Sequence, residues 1–250
     1  MAKLVQKSGY IKSGKASGYM RYIATREGVE KLAGNGAVTK GQRELIQKLL
    51  TDFPDAVELF EYEDYCKTPT LGTASAFISM ALDANFHEMD SESGYMQYIA
   101  TRPRVQKRGA HGLFSSTTAV DLTSAMSELE SHEGNVWTII YSLRREDAAR
   151  LEYNNADAWR ALLMENAPTL AKSMKISLDN FHWCAAFHDE GHHPHIHMMV
   201  WSDDPKEGFL TKDGIAAMRS KLTNAIFRDE MQQIYERKDV AYSDLVEAAQ

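Results

Sequence analysis

The feature that most constrains this chain is a histidine-rich segment, FHWCAAFHDEGHHPHIHMMVW, which runs from Phe181 to Trp201. It holds six of the nine histidines, in and around two runs of aromatic and apolar residues. Both runs, residues 181–188 and 195–201, have the composition of β-strands. The polar connection between them is short, which is typical of antiparallel neighbours. The sequence therefore predicts a strand pair that brings histidines together at its connected end.

The spacing of three of these histidines predicts a metal site. Side chains alternate along a strand, so His195 and His197 are expected on one face of the second strand. His188 ends the first strand and can supply a third ligand if the strands pair. Three imidazoles leave coordination positions open, which suits a divalent metal that must also hold a substrate oxygen. We expect Mg²⁺ or Mn²⁺ at this site, with Zn²⁺ as the alternative.

The connection between the strands carries further polar groups. Asp189 or Glu190 could accept a hydrogen bond from the second nitrogen of a ligating histidine and fix its tautomer. His192 and His193 also lie in this connection and are expected to be exposed to solvent. The connection is thus predicted to support the metal ligands without adding to them.

A ten-residue phrase occurs twice, as SGYMRYIATR in the segment 17–32 and as SGYMQYIATR in the segment 93–108. The two segments are identical at eleven of sixteen positions, so they are a duplication. Helical spacing places two tyrosines and an arginine of each copy on one side. An arginine can hold a phosphate oxygen while a phenol attacks phosphorus, provided that a nearby cation stabilises the phenolate. The first tyrosine of each copy is expected to pack, and the candidate catalytic residues are Tyr22, Arg26, Tyr98 and Arg102.

The remaining patterns predict strands interleaved with helices. Thr39 and Gln42 form a capping box that should begin a helix running to Asp52. The other predicted elements are strands over 3–11 and 136–143, and helices near 76–82, over 122–130 and 157–174, and from 211 onward. They favour an α+β fold with an antiparallel central sheet covered by helices. No linker divides the chain, so we expect one domain over 1–210 and a helical extension over 211–250.

The net charge of −7 argues against a protein that coats nucleic acid by bulk electrostatics. Positive charge is nevertheless concentrated in two places. The candidate DNA-binding residues there are Arg104, Lys107, Arg108, Arg144 and Arg145. Any contact with DNA is therefore expected to be confined to one basic face and to weaken with salt.

Several classes of protein lack their defining residues here. The sequence has no HExxH, no H-x-E with PCxxC, no GxxxxGK[ST] and no GxSxG, which disfavours metalloproteases, zinc deaminases, P-loop proteins and α/β-hydrolases. No apolar run has the length of a signal peptide or a membrane span, so we expect a cytoplasmic location without a membrane segment. Cys66 and Cys184 are far apart and are expected to be free thiols.

Taken in order, a short strand, a helix with YIATR, a strand VWTIIYSL and the motif HDEGHHPHIHMMVW resemble the MobP/MobL-type relaxases. These are HUH endonucleases of plasmids and transposons, and the resemblance extends from about Lys3 to Phe227. It implies nicking of single-stranded DNA or a hairpin at an origin of transfer, through a 5′-phosphotyrosine link and a released 3′-hydroxyl. It also implies that His188, His195 and His197 bind the divalent cation. Accessory relaxosome proteins and a coupling protein are the partners that it suggests.

The duplication leaves the nucleophile open. The position directly after the first strand favours Tyr22, which we expect, whereas the shorter distance along the chain to the histidines favours Tyr98. One copy could instead be structural, or supply a second nucleophile for rejoining. Two other functions are compatible with the same residues. A rolling-circle initiator or transposase would use the same chemistry, and a metal-stabilised DNA-binding module would use none.

Overall fold

The computed structural model of the chain describes residues 3–10, 35–85, 96, 99–100, 105–106, 110–117, 120–189 and 193–228. Within these ranges the fold is α+β, with one antiparallel sheet and helices on its faces. The predicted fold class is therefore confirmed.

The sheet has five strands in the order β1-β3-β5-β4-β2. The strands are β1 (Val5–Tyr10), β2 (Leu113–Ser115), β3 (Trp137–Ser142), β4 (Phe181–His188) and β5 (His195–Ser202). β4 and β5 form the predicted pair, with His188 directly opposite His195. Because β3 lies on its other side, β5 is the central strand, and all of its residues are buried.

Seven α-helices are described. They are α1 (Lys40–Asp52), α2 (Phe60–Lys67), α3 (Leu71–Ala84), α4 (Leu122–Glu130), α5 (Arg145–Arg150), α6 (Ala156–Ser173) and α7 (Lys212–Ile226). The predicted capping box begins α1, because the Gln42 amide donates to Thr39 Oγ1 at 3.1 Å and the Thr39 amide donates to Gln42 Oε1 at 3.0 Å. Among these helices none combines the length and the apolar character needed to cross a bilayer.

One face of the sheet carries the largest apolar core. Ile196, Met198 and Val200 of β5 pack there with residues of α6 and α7, including Trp159 and Met218. Helix α7 thus covers the sheet from within the predicted C-terminal extension, whose residues 229–250 lie outside the described ranges. The predicted division of the chain at residue 210 stays a prediction.

The opposite face of the sheet carries the histidines of β5. Two smaller apolar clusters cover this face. One joins β4 and β5 to α4 and to Met96, Ile99 and Ala100 of the second copy of the repeated phrase. The other consists mainly of α1 and α3, and reaches the sheet at Ile140 of β3. The histidine face is therefore covered by α4, by these three residues of the second copy and by the helical unit α1–α3.

The two cysteines are free thiols, as expected, but in different surroundings. Cys66 is exposed, whereas Cys184 is buried on β4, where burial raises the pKa of its thiol to about 12. We expect Ellman's reagent to titrate one thiol in the native protein and two after denaturation, because a buried thiol of high pKa is unreactive. Equal reaction rates of both thiols in the native protein would contradict this packing. Since Cys184 shares its strand with His188, its protection also reports an intact hairpin in any variant.

Candidate active site

His188, His195 and His197 form one buried cluster, as their spacing predicted. The ring centroids lie 5.2 Å apart between His188 and His195, 4.7 Å between His188 and His197, and 5.0 Å between His195 and His197. One nitrogen of each ring lies within 4.8 Å of the other two. None of the three residues is more than 1% exposed. The cluster is thus a group of converging imidazoles that a single metal ion could bridge.

The register of the hairpin creates this cluster. His188 and His195 are direct cross-strand partners, and His197, two residues further along β5, is opposite Ala186. These side chains share one face because side chains alternate along a strand. Ala186 is small, so β4 places no large side chain directly opposite the ring of His197, whereas β3 places Ile140 there. Strand alternation and the register of β4 against β5 therefore place the three rings on one face, next to one another.

Backbone carbonyls orient two of the rings. Nε2 of His188 lies 3.0 Å from the carbonyl oxygen of Ile99, and Nδ1 of His195 lies 3.0 Å from the carbonyl oxygen of His193. A carbonyl oxygen only accepts, so these two nitrogens must carry the protons. The lone pairs are then on Nδ1 of His188 and Nε2 of His195. Neutral imidazoles in fixed tautomers are what a metal site requires, so these residues fit a divalent cation.

Backbone carbonyls therefore accept the hydrogen bonds from His188 and His195, where we expected a carboxylate to accept one. Asp189 instead accepts a hydrogen bond from Nη2 of Arg145 at 2.6 Å, and Glu190 lies outside the described residues. The support of a metal ligand by Asp189 or Glu190 stays a prediction. Arg145, a predicted DNA contact, is thus paired with an acid and about one-third exposed.

His193 was expected to be exposed, and this prediction was wrong. The residue is only 4% exposed, and its Nε2 donates to a carboxylate oxygen of Asp64 at 2.8 Å. Asp64 lies 129 residues away in the sequence, on α2. Local spacing could not reveal this contact. The only signal was the general accumulation of acidic residues around Asp64.

Arg144 completes this polar group. Its guanidinium donates to Asp64 at 3.2 Å and to Glu63 at 3.1 Å, and it lies over the ring of Phe60 at 4.7 Å. Burial alone would raise the pKa of Asp64, but the hydrogen bonds and charges of His193 and Arg144 outweigh it and hold that pKa below its ordinary value. Two acids neutralise Arg144, so this placement does not support its predicted contact with DNA.

Described residues of the segment 93–108, which holds the second copy of the repeated phrase, contact β4 and the histidine at its end. The carbonyl of Ile99 contacts His188, Val105 forms a β-bridge with His188, and the amide of Gln106 donates to the carbonyl of Phe187 at 2.9 Å. Ile99 is fully buried. The predicted catalytic and basic residues of both copies lie outside the described residues: Tyr22, Arg26, Tyr98, Arg102, Arg104, Lys107 and Arg108.

A second group of potential ligands lies on the same face at the far end of the hairpin. It consists of Glu128, His182 and Asp203. His182 pairs with Asp203 at 2.7 Å, and Glu128 accepts a hydrogen bond from the indole of Trp201 at 2.7 Å. Both carboxylates are exposed, so water competes with them as a ligand for any metal ion. This group therefore serves as a comparison for the buried histidine cluster.

Comparison with known proteins identifies the family of the chain. Neither a curated protein nor a solved structure matches the chain significantly. A family model described as MobL relaxases matches residues 1–250, which is the whole chain. An antiparallel sheet that carries three clustered histidines beside a tyrosine-containing segment suits a DNA-nicking enzyme. The chain therefore belongs to the MobL relaxases.

Proposed function

We propose that this relaxase nicks one DNA strand at an origin of transfer by transesterification, and later rejoins it, during mobilisation of the element that encodes it. One observation carries the proposal. The buried histidine cluster contacts the second tyrosine phrase, through the hydrogen bond between His188 and Ile99. The candidate metal ligands therefore contact the residue that follows Tyr98, a candidate nucleophile, in the sequence.

The chemistry uses two groups of this chain. A tyrosine oxygen forms a bond to the phosphorus, and the bond from phosphorus to the 3′ oxygen breaks. The phenol gives up its proton, the leaving 3′ oxygen gains one, and the 5′ phosphate stays on the tyrosine. Attack by a 3′-hydroxyl reverses the step and rejoins the strand. A divalent cation held by His188, His195 and His197 would supply positive charge for the scissile phosphate.

Oriented imidazoles prepare the cluster for that cation. The tautomers set by Ile99 and His193 leave the lone pairs on Nδ1 of His188 and Nε2 of His195, which would be the donor atoms for the ion. An all-imidazole set binds Zn²⁺ more tightly than Mn²⁺, and Mg²⁺ prefers oxygen ligands. We therefore propose Mn²⁺ or Zn²⁺ as the better fitting ion, and Mg²⁺ only with further oxygen ligands from DNA and water.

We assign the nucleophile to Tyr98, in place of the expected Tyr22. Tyr98 directly precedes Ile99, whose carbonyl contacts His188. The first copy follows β1 instead, and that strand begins beside the histidines, with Val5 opposite Ser142 and Ser142 opposite His195. β1 then runs away from the cluster, since its last residue, Tyr10, is at the other end of the sheet. The direct contact between Ile99 and His188 thus favours the tyrosine of the second copy as the nucleophile.

The surrounding basic residues complete the proposed DNA site. Arg102 would hold a phosphate oxygen beside Tyr98, and Arg26 would do so in the first copy. Arg104, Lys107 and Arg108 would contact the strand backbone, which makes binding strongly dependent on salt. Single-stranded DNA or an origin hairpin is the proposed substrate, and relaxosome accessory proteins and a coupling protein are the proposed partners. We place the reaction in the cytoplasm, where the element's DNA resides.

A labelling experiment tests this function. Single-stranded oligonucleotides tiled across the DNA next to the coding sequence are incubated with the protein and Mn²⁺. We expect a 3′ label to migrate with the protein on a denaturing gel, because the 5′ phosphate of the 3′ fragment joins tyrosine. A 5′ label should appear in a shorter fragment that a polymerase extends from its 3′-hydroxyl.

Removal of the metal by a chelator and the choice of DNA sequence provide the controls. EDTA should remove the covalent adduct and leave the input strand intact. Binding to DNA without any adduct would favour the metal-stabilised binding module instead. Cleavage confined to a replication origin or transposon end would point to a rolling-circle initiator or a transposase, which use the same chemistry.

A further inference from the structure

Helix α2 reaches the histidine cluster through His193. This imidazole is only 4% exposed and stacks on the ring of Phe60, with 5.2 Å between centroids and 25° between planes. Its Nε2 donates to Oδ2 of Asp64 at 2.8 Å. A carboxylate oxygen accepts, so this contact places the proton of His193 on Nε2. The same helix therefore holds the imidazole of His193 in two ways, by stacking of Phe60 on its face and by the hydrogen bond of Asp64 at its edge.

Asp64 is itself fixed by neighbours. Its second oxygen, Oδ1, accepts from Nη1 of Arg144 at 3.2 Å, and Nη2 of Arg144 donates to Glu63 at 3.1 Å. The guanidinium of Arg144 also lies over Phe60. A planar guanidinium held by two acids and an aromatic ring has few alternative positions. Asp64 consequently offers His193 a rigid acceptor.

The backbone carries this constraint to the metal ligand. The carbonyl of His193 accepts the proton on Nδ1 of His195 at 3.0 Å. The carbonyl of the intervening Pro194 accepts from the amide of Leu143 at 3.2 Å, which ties the same peptide to the end of β3. Both the side chain and the backbone of this segment are therefore anchored where β5 begins.

We infer that Asp64 is a positioning residue for the metal site, which acts through His193 to hold His195 in the tautomer and orientation that a cation requires. The inference rests on the proposed metal site. Partners that orient a ligand without touching the ion typically change metal affinity by about 10–100-fold. The helical unit α1–α3 thus contributes to metal binding through one carboxylate.

Metal affinity of the full chain without DNA tests the inference. Free Mn²⁺ is counted by its electron paramagnetic resonance signal during titration of wild type, Asp64→Ala, Asp64→Asn and Glu63→Gln. Asp64→Ala should bind Mn²⁺ about 10–100-fold more weakly. Asp64→Asn should fall between wild type and Asp64→Ala, because its amide oxygen still accepts a hydrogen bond but carries no charge. Glu63→Gln should stay within about threefold of wild type, like an ordinary surface substitution.

Glu63 is the matched control because it is the neighbouring acid and also pairs with Arg144, but the structure gives it no hydrogen bond to His193. Equal losses in Glu63→Gln and Asp64→Ala would overturn the inference, since the charge of Arg144 would then be responsible. Wild-type affinity in Asp64→Ala would overturn it as well.

Folding and metal binding are separated by two further measurements. Protection of Cys184 from Ellman's reagent and the thermal unfolding midpoint identify any variant that has lost its hairpin. If Asp64→Ala fails to fold, Asp64→Asn decides, and wild-type affinity in that variant overturns the inference. Absence of Mn²⁺ binding in the wild type would overturn the metal site itself. Tight wild-type binding that Asp64→Ala leaves unchanged would overturn only the role of Asp64.

Discussion

Replacement of Tyr98 by phenylalanine is expected to abolish the covalent adduct between protein and DNA. Phenylalanine keeps the ring but lacks the oxygen that must bond to phosphorus, so no phosphotyrosine can form. Loss of a nucleophile typically lowers the rate on the order of 10⁴-fold or more. The adduct with a 3′-labelled oligonucleotide should therefore disappear from the denaturing gel, while Mn²⁺ affinity and DNA binding stay close to those of wild type.

The duplication provides matched controls for this variant. Tyr22→Phe makes the same change at the corresponding position of the first copy, and Tyr95→Phe changes the other tyrosine of the second copy. Both should still form the adduct. Loss of the adduct in Tyr22→Phe, with retention in Tyr98→Phe, would return the nucleophile to the first copy. Loss of the adduct in both Tyr22→Phe and Tyr98→Phe would mean that nicking itself needs a tyrosine of each copy.

The two copies show where sequence reasoning reaches its limit. Their phrases differ at one of ten positions, so side-chain chemistry alone cannot rank Tyr22 against Tyr98. The distinction comes from the neighbours of the second copy. Ile99 contributes a backbone carbonyl to His188, and every residue has such a carbonyl, so no sequence pattern marks it. Contact with the histidine cluster is thus a tertiary property that the repeated local motif does not reveal.

The hairpin could be predicted because its determinants are local. Alternation along one strand relates His195 to His197, and pairing across the short connection adds His188. Once both strands are recognised, the buried face of each strand and the register of their pairing follow. A shift of one strand by one residue would turn its histidines towards the apolar core. The capping box at Thr39 was predictable for the same reason, because it involves residues three positions apart.

The support of the site was not predictable in the same way. Asp64 and His193 are distant in sequence, and Arg144 looked like part of a basic surface because it stands next to Arg145. Only the folded chain shows that the charge of Arg144 faces two acids of α2. Charge runs predict net potential, whereas the partner of each charge depends on how distant helices pack.

Removal of one of the three proposed histidine ligands is the second change with a large expected effect. His195→Ala should weaken Mn²⁺ binding by more than the roughly 100-fold upper range for an orienting partner, because it deletes a donor atom and leaves two. Adduct formation should be lost together with metal binding, since the proposed chemistry needs positive charge at the phosphate. Mn²⁺ titration and the 3′-label assay on the same preparation measure both effects.

His182→Ala is the matched control for this variant, because His182 lies on the same face of the hairpin at its other end. Its side chain is 40% exposed and pairs with Asp203, so its loss should leave the tight Mn²⁺ site and the adduct unchanged. Protection of Cys184 should persist in both variants, which separates loss of a ligand from loss of the hairpin. If His195→Ala still forms the adduct at the wild-type rate, the histidine cluster does not serve the nicking step. In that case the charge that assists phosphate cleavage must come from the arginines of the repeated phrase, and Arg102→Ala would become the decisive variant.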